Sequence, residues 1–456
     1  MKYRAYSSNN INTIPQFGRM TPDQRLAIRA VSRVLPFRIN NYVLDELIDW
    51  DDIPNDPMFQ LGFPQQEMLS DRDFGRIAGL IREGVEGAEL EAAVQEIQLG
   101  LNPHPAGQIQ HNVPVLDGER QVGMQHKYRE TVLFFPKQGQ TCHAYCTYCF
   151  RWAQFVGMDE LKFANGEASS LVRYLQQHPE VTDVLFTGGD PMIMRSKLLR
   201  QYIEPLLGVE TLHSIRIGSK SLAWWPYRYL TDADSDDVLG LFEEVVAAGK
   251  HLALMAHCSH PRELSTPTAE RAVRQVIGTG ATIRSQAPVV RHVNDSRAVW
   301  ASNWQKQVDL GITPYYMFVE RDTGPKDYFD VPLHRALDIF NGAFRRVSGL
   351  GRTVRGPSMS CTPGKLLVDG VTEIAGERVF ALKFIQARDA RWVNRLFFAK
   401  YDEQASWVDN LVPAFGEERF FFESEMPKRW RNVSVFPGPT KGRSTGTASQ
   451  QDRMAS

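Results

Sequence analysis

Thr141-Cys142-His143-Ala144-Tyr145-Cys146-Thr147-Tyr148-Cys149-Phe150-Arg151-Trp152 gathers three of the chain's five cysteines into one C-x3-C-x2-C window. Such short spacers let a single loop wrap three thiolates around one face of a small cluster and leave a corner without a protein ligand. Structural zinc usually recruits a fourth Cys or His at its own short spacing, and ferredoxin-type clusters use four cysteines in longer runs. Here the other cysteines, Cys258 and Cys361, are single and distant. Cys142, Cys146 and Cys149 therefore point to a [4Fe–4S] cluster with one iron open to a small molecule. Chance clustering, a zinc site completed by His143, and a disulfide are the competing readings. His143 lies between cysteines whose spacers would strain a four-point cage around one ion. The odd cysteine count and the lack of a signal-peptide pattern argue for free thiols in a reducing, cytoplasmic compartment.

Outward from this window, strand and helix alternate. Short apolar or β-branched runs predict strands over 131–135, 182–187, 214–217, 251–256, 282–286 and 313–319, with helices over 167–178, 197–207, 236–248, 267–277 and 296–310. Gly249 and Gly311 stand where a helix C-terminus favours glycine. The pattern implies βαβ units and a parallel sheet. Six such units are too few for a closed eight-fold barrel, so the expected core is a curved α/β sheet.

Ligands of parallel α/β folds collect at the C-terminal ends of the strands. The cysteine loop follows the first strand, Gly188-Gly189-Asp190 the second, Gly218-Ser219-Lys220 the third and His257 the fourth, and Gln286 ends the fifth. Paired glycines allow close approach of backbone to a ligand, and an adjacent acid can bind an ammonium group. Trp224-Trp225-Pro226-Tyr227 is read as helix packing, and His257-Cys258-Ser259-His260 as one cofactor contact among structural neighbours.

With 456 residues, 43% hydrophobic and 23% charged, the chain has the composition of a globular protein with a large core. A net charge of −1, from 52 basic and 53 acidic residues, gives no electrostatic case for nucleic acid. No apolar run approaches the roughly 18 residues of a membrane helix. Walker, G-x-G-x-x-G and H-E-x-x-H motifs are absent from the sequence. The first dozen residues, polar and Asn-rich, are expected to form a frayed arm. Thr21-Pro22-Asp23-Gln24 opens a helix that Pro36 ends; a second helix is expected over 41–48 and a loop over 53–57. The expected organisation is a helical N-terminal region (1–125), the α/β core (126–350), a C-terminal extension (351–426) and a flexible Gly/Pro/Ser/Thr-rich tail (427–456). Within the extension, 380–412 reads as added α/β structure or an oligomer contact.

The cysteine motif, with an aromatic beside its last cysteine, resembles the radical S-adenosylmethionine (SAM) enzymes. Cys149-Phe150-Arg151, Thr187-Gly188-Gly189-Asp190, Arg216-Ile217-Gly218-Ser219, His260-Pro261-Arg262-Glu263, Val293-Asn294-Asp295 and Pro314-Tyr315-Tyr316 are similar, in this order, to the lysine 2,3-aminomutase subfamily. The similarity spans about 53–365, and Pro54-Asn55-Asp56-Pro57 resembles the segment that precedes the core in those proteins. It implies a partial (β/α)6 TIM-type barrel with a helical cap, and cleavage of SAM at the cluster to a hydrogen-abstracting 5′-deoxyadenosyl radical. It also implies a reductase, flavodoxin or ferredoxin as electron donor, a small amino-acid-like substrate and no membrane partner, and leaves homo-oligomer formation open. Gly188, Gly189 and Asp190 match the element that holds the SAM amino group, with Ser219, His257 and Gln286 as further cofactor contacts.

In the aminomutases, pyridoxal phosphate on a late lysine lets the substrate nitrogen migrate from the α to the β carbon. Cys361-Thr362-Pro363-Gly364-Lys365 keeps the proline, one glycine and the lysine of that motif but shortens its glycine run, making Lys365 the candidate Schiff-base residue. The basic residue the family places before Val-Leu-Phe is Thr131 here, so Arg129 would have to substitute near the cofactor phosphate. Arg151 matches the arginine that pairs with the substrate carboxylate. Asp295 matches one of two aspartates that read the distant amine of lysine, while the other is Cys361. The implied function is a 2,3-aminomutase-type amino migration. The alternatives are a pyridoxal-phosphate-independent radical SAM reaction such as epimerisation, and a non-catalytic iron–sulfur or zinc protein.

Overall fold

The computed structural model describes residues 1–102, 112–156 and 163–426, so the tail expected over 427–456 lies outside the described residues. Its centre is an eleven-stranded mixed sheet in the order β15-β14-β13-β12-β11-β10-β9-β8-β7-β6-β5. The strands are β5 (Met124–Tyr128), β6 (Thr131–Phe134), β7 (Asp183–Phe186), β8 (Ser214–Ser219), β9 (His251–His257), β10 (Thr282–Val289), β11 (Thr313–Val319), β12 (Arg355–Ser360), β13 (Gly364–Ile374), β14 (Glu377–Ala387) and β15 (Leu396–Lys400). Two short hairpins, β1 (Ala5–Ser7) with β2 (Arg38–Asn40) and β3 (Val115–Leu116) with β4 (Glu119–Arg120), complete the set.

From β6 to β12 every neighbouring pair is parallel. The six expected strands are all present, and β12 adds a seventh to the parallel run. Helices Ala168–Gln177, Ser196–Leu207, Ser235–Ala247, Pro267–Gly278 and Arg297–Asp309 fill the crossovers, each within two residues of its expected start. Their apolar faces cover one side of the sheet, where Val184, Phe186, Ile215, Ile217, Leu252 and Leu254 join Leu171, Leu199, Leu241 and Val273 in one core. Alternation decides the other side: on β8, Ile215 and Ile217 are buried whereas Arg216 and Gly218 keep partial exposure. The segment 380–412 lies in β14, β15 and the turns beside them, which extend the sheet beyond β13 by successive antiparallel pairings. The sheet also curls far enough for β14 to touch β5, the strand at its opposite edge.

Three expectations need correction. The polar N-terminus is no frayed arm, because Ala5, Tyr6 and Ser7 pair with Asn40, Ile39 and Arg38, and buried Tyr6 anchors the strand in the core. Residues 41–47 are helical as expected, entered by an Asn40 Oδ1 cap that accepts from Val43 N, but Val43–Leu47 is wound wide, with Ile48 N donating to Val43 O, instead of as a regular α-helix. The strand expected to end at Gln286 continues to Val289. The helix Pro22–Val34, by contrast, starts as read: Thr21 accepts from Gln24 N while Gln24 reaches back to Thr21 N, a capping box.

Candidate functional site

The cysteine loop leaves β6 and is held from below by the N-terminal region. Tyr145 N donates to Arg38 O at 2.8 Å, and Thr147 N to Leu61 O at 3.0 Å. His143 O accepts from Tyr3 Oη at 2.9 Å and from Asn40 Nδ2 at 3.2 Å. Asn40, fully buried, also donates to Trp224 O at 2.9 Å. Ala144, Tyr148 and Trp152 share a core with Val31, Ile39, Phe59, Trp224 and Trp225, so the tryptophan pair packs as read. Cys142, Cys146 and Cys149 are half-buried free thiols. They lie close enough for Cys142 to feel the charges of Cys149 and Cys146 as well as Asp190. Burial is the main influence on all three and pushes each thiol up. Among the described residues no group of three His, Cys, Asp or Glu converges on one metal-sized point. A cubane asks something different of its donors: each thiolate binds its own iron, so three soft sulfur donors on one loop suit it. His143 has a buried imidazole held neutral, its pKa pushed down to about 3 by burial and the nearby Arg228 and Arg38 cations.

The β7 loop packs directly on the cysteine loop. Gly189 N donates to Gly139 O and Asp190 N to Thr141 O, at 3.1 and 2.7 Å. A Cβ on Gly189 would sit 2.4 Å from Thr141 O, and one on Gly188, whose φ is +153°, 2.4 Å from Gln140 Nε2. The close neighbour these glycines admit is thus the cysteine loop itself. Asp190 is buried, and its oxygens are taken by protein donors: Met192 N at 2.9 Å, Ser219 Oγ at 3.0 Å and Lys220 N at 2.9 Å. The carboxylate expected to meet a ligand amine instead ties the β7 loop to the end of β8. Ser219 Oγ is likewise engaged, with Asp190 and with Ser221 Oγ at 2.6 Å. His257 Nε2 lies 2.7 Å from Tyr148 Oη, which links the end of β9 to the cysteine loop. Burial beside Lys220 keeps that imidazole neutral. Gln286 pairs with His257 across the β9–β10 register and, like it, keeps partial exposure.

Arg151 donates to Gly188 O and, at 3.1 Å, to Thr187 Oγ1, with its guanidinium over the Phe135 and Phe150 rings at 4.8 and 5.3 Å. The expected carboxylate-binding arginine is therefore also a brace for the Gly-Gly loop. Asp295 sits in the loop after β10, half-buried, within electrostatic reach of His292. Cys361 is buried, with its Sγ 3.3 Å from Gly364 O.

Lys365 projects from β13 with its Nζ 4.1 Å from the centre of the Tyr316 ring. Burial and the adjacent Arg216, Arg355 and Lys127 lower its pKa to about 7. Arg216 is paired with Asp183, Nε to Oδ1 at 2.8 Å. Arg355 lies on the faces of Tyr315 and Tyr316 at 4.3 and 4.4 Å. Lys127, itself lowered to about 7 by burial, reaches from β5 to the carbonyls of Cys361 and Gly364. Arg129, the residue expected to substitute for the missing base at Thr131, is exposed. Thr131 donates to Asp183 Oδ2 at 2.9 Å, and the cations beside Lys365 come from β5, β8 and β12 instead. Sequence reasoning missed Lys127 and Arg355 as site residues; Arg216 was visible only inside a motif. Arg321 bridges the two halves of the site, lying over Phe150 at 5.3 Å while sensing Cys361.

A half-buried amine of low pKa ringed by cations has the donor set for an anionic aldehyde cofactor. Three thiols on one loop suit an iron–sulfur cubane. Among the described residues no helix is long and apolar enough to cross a membrane.

No family model matches the sequence. A putative L-lysine 2,3-aminomutase of Aquifex aeolicus is 30% identical over 396 residues, covering 87% of this chain and 92% of that protein. The L-lysine 2,3-aminomutases of Acetoanaerobium sticklandii and Escherichia coli are 26% and 27% identical over 256 and 227 residues. These matches cover 56% and 50% of this chain, and 59% and 63% of those proteins. Among solved structures, Streptococcus suis SuiB bound to its precursor peptide SuiA aligns over 59% of this chain and 56% of that one at 11% identity, with a TM-score of 0.34, too loose to carry an argument. The extent of the Aquifex match, together with the cysteine loop and the residues gathered behind it, makes this chain an enzyme of the lysine 2,3-aminomutase family of radical SAM proteins.

Proposed function

We propose that the protein catalyses an aminomutase-type 1,2-amino migration on an amino acid, using a [4Fe–4S] cluster, SAM and pyridoxal phosphate. The curl of β6–β11 with its crossover helices is read as the partial (β/α)6 barrel, its C-terminal strand ends forming the site. The observation that carries the reading is Lys365: an amine lowered to about 7, flanked by Arg216, Arg355 and Lys127. A lysine so desolvated and so placed among cations is a nucleophile at neutral pH, and the same cations suit a phosphate.

Cys142, Cys146 and Cys149 would hold the cluster, with Gly188, Gly189, His257 and Gln286 lining the SAM side. Bound there, cluster and SAM would supply a hydrogen-abstracting radical, while pyridoxal phosphate on Lys365 would supply an acceptor for the migrating nitrogen. The chain's own residues bind, orient and exclude water. Asp190 fixes Ser219 and Lys220, and Tyr148 fixes His257. Arg151, a cation whose pKa burial lowers only to about 10, offers its charge to a substrate carboxylate. Asp295 is proposed to meet the far end of the substrate. With Cys361 in place of the family's second aspartate, a distant ammonium would keep one acidic contact instead of two, and a half-paired buried charge costs several kcal/mol.

An amino acid screen under anaerobic reducing conditions, scored by 5′-deoxyadenosine release and β-amino acid formation, tests the reading. An amino acid other than L-lysine should rank first, and Arg151→Ala should abolish its turnover. SAM cleavage without amino migration, by protein that binds no pyridoxal phosphate, would select a cofactor-independent radical reaction instead.

A further inference from the structure

The hairpin that presents Lys365 is closed by a loop that its own residues do not favour. Cys361 and Gly364 exchange backbone bonds, Cys361 N to Gly364 O at 3.0 Å and Gly364 N to Cys361 O at 3.2 Å, which leaves Thr362-Pro363 as the loop between β12 and β13. Loops this short favour positive φ at their central positions, and hence Gly, Asn or Asp. Neither Thr362 nor Pro363 has a positive φ, and a proline ring forbids one.

The loop is held from outside instead. Arg388, the residue after β14, donates through its Nε to Thr362 O at 2.8 Å and through its backbone N to Pro363 O at 3.0 Å. Its guanidinium also donates to Asn112 Oδ1, which ties the same side chain to the segment before β3. Lys127 reaches the two outer carbonyls, Cys361 O and Gly364 O. Every carbonyl from Cys361 to Gly364 thus has a donor, and Arg388 alone serves the inner two. Space is as tight as the bonding: a Cβ on Gly364 would sit 2.4 Å from Gln386 O and 2.8 Å from Phe384 Cδ1, so the loop lies flush on β14. Lys365, one residue on, pairs with Ser360 on one side and Gln386 on the other.

We propose that Arg388 is a positioning residue for Lys365: by holding the carbonyls of Thr362 and Pro363 it fixes the loop from which Lys365 emerges, and so keeps the amine in place over Tyr316. The inference rests on the reading of Lys365 given above. The cations that lower Lys365 are Arg216, Arg355 and Lys127, and Arg388 is not among them. Its influence therefore falls on how often the amine is in place, not on the proton the amine carries. A reactive pose held for part of the time scales the observed reaction by that fraction.

The test labels Lys365 in the anaerobically purified full chain, the amine condensing with added pyridoxal phosphate with loss of water and borohydride reducing the product to a stable label. The labelling rate is followed by peptide mass across pH, beside thermal unfolding. Arg388→Met should lower the plateau rate by roughly tenfold or more, the worth of one charge-assisted bond, and leave the midpoint pH where it stands in wild type. Arg388→Lys should fall between the two, because one flexible ammonium can reach Thr362 O but cannot also keep Asn112. A purely structural Arg388 would lower the unfolding temperature and leave the plateau rate of the folded protein at its wild-type value. That result overturns the proposal, as does a shifted midpoint with an unchanged plateau. Should Arg388→Met fail to fold, Arg388→Lys decides, since a plateau equal to that of wild type overturns the proposal equally. Wild-type protein that takes no label at Lys365 would instead overturn the reading of that lysine as the cofactor's partner.

Discussion

Lys365 and Arg355 both lie over one aromatic ring: the Lys365 Nζ stands 4.1 Å and the Arg355 guanidinium 4.4 Å from the centre of Tyr316. A single ammonium over tyrosine is favourable, but two cations at one ring repel each other. Burial and the neighbouring Arg216 and Lys127 add to that pressure. That pressure falls on the amine, whose pKa is lowered to about 7.

The first consequence is a pH profile. Lys365 should be protonated and inert below about pH 7 and neutral and nucleophilic above it, whereas an ordinary lysine titrates near about 10.4. Trapping with pyridoxal phosphate and borohydride across pH, read by peptide mass, should show a midpoint near 7 at this residue. Arg355→Met should raise it by removing one of the adjacent cations. A midpoint above about 9 in wild type would refute the assignment.

Replacing Cys142, Cys146 or Cys149 by alanine should each remove most cluster iron and all SAM cleavage, as assayed by iron content and 5′-deoxyadenosine. Cys258→Ala and Cys361→Ala should leave iron in place, because both side chains are buried in apolar cores away from the loop. Loss of iron in either control would mean that the ligand set is wrong.

Asp190→Ala should be primarily a stability mutant. It strips partners from Met192 N, Ser219 Oγ and Lys220 N, a cost on the order of 3 kcal/mol. Chemical denaturation should show that loss even in apoprotein. A variant as stable as wild type, yet weak in SAM binding, would restore a direct ligand role.

The N-terminal clamp predicts that Asn40→Ala costs about 1–3 kcal/mol, since it leaves His143 O and Trp224 O without their buried donor. Tyr3→Phe should cost less, about 0.5–1.5 kcal/mol. Both should release cluster iron to a chelator faster than wild type. Unchanged release rates would separate the N-terminal region from the cluster loop.

Much of the core was legible in the chain because its signals are local. Short β-branched runs, the capping residue Thr21 and the spacing of Cys142, Cys146 and Cys149 each act within a few residues, and they marked the six parallel strands, the helices and the candidate cluster loop. Residues brought together from distant segments were not legible. The docking of Tyr3 and Asn40 beneath His143 joins positions separated by 140 and 103 residues. The reach of Lys127 to the Lys365 hairpin spans 234 residues. The engagement of Asp190 by Ser219 and Lys220 depends on the β7–β8 register. Residue identity sets what a side chain can do, whereas its proton, its free lone pairs and its neighbours are set by burial and by charges that only the folded chain assembles. Lysine 365 was visible as a candidate in the sequence; a pKa near 7 is a property of the packing around it.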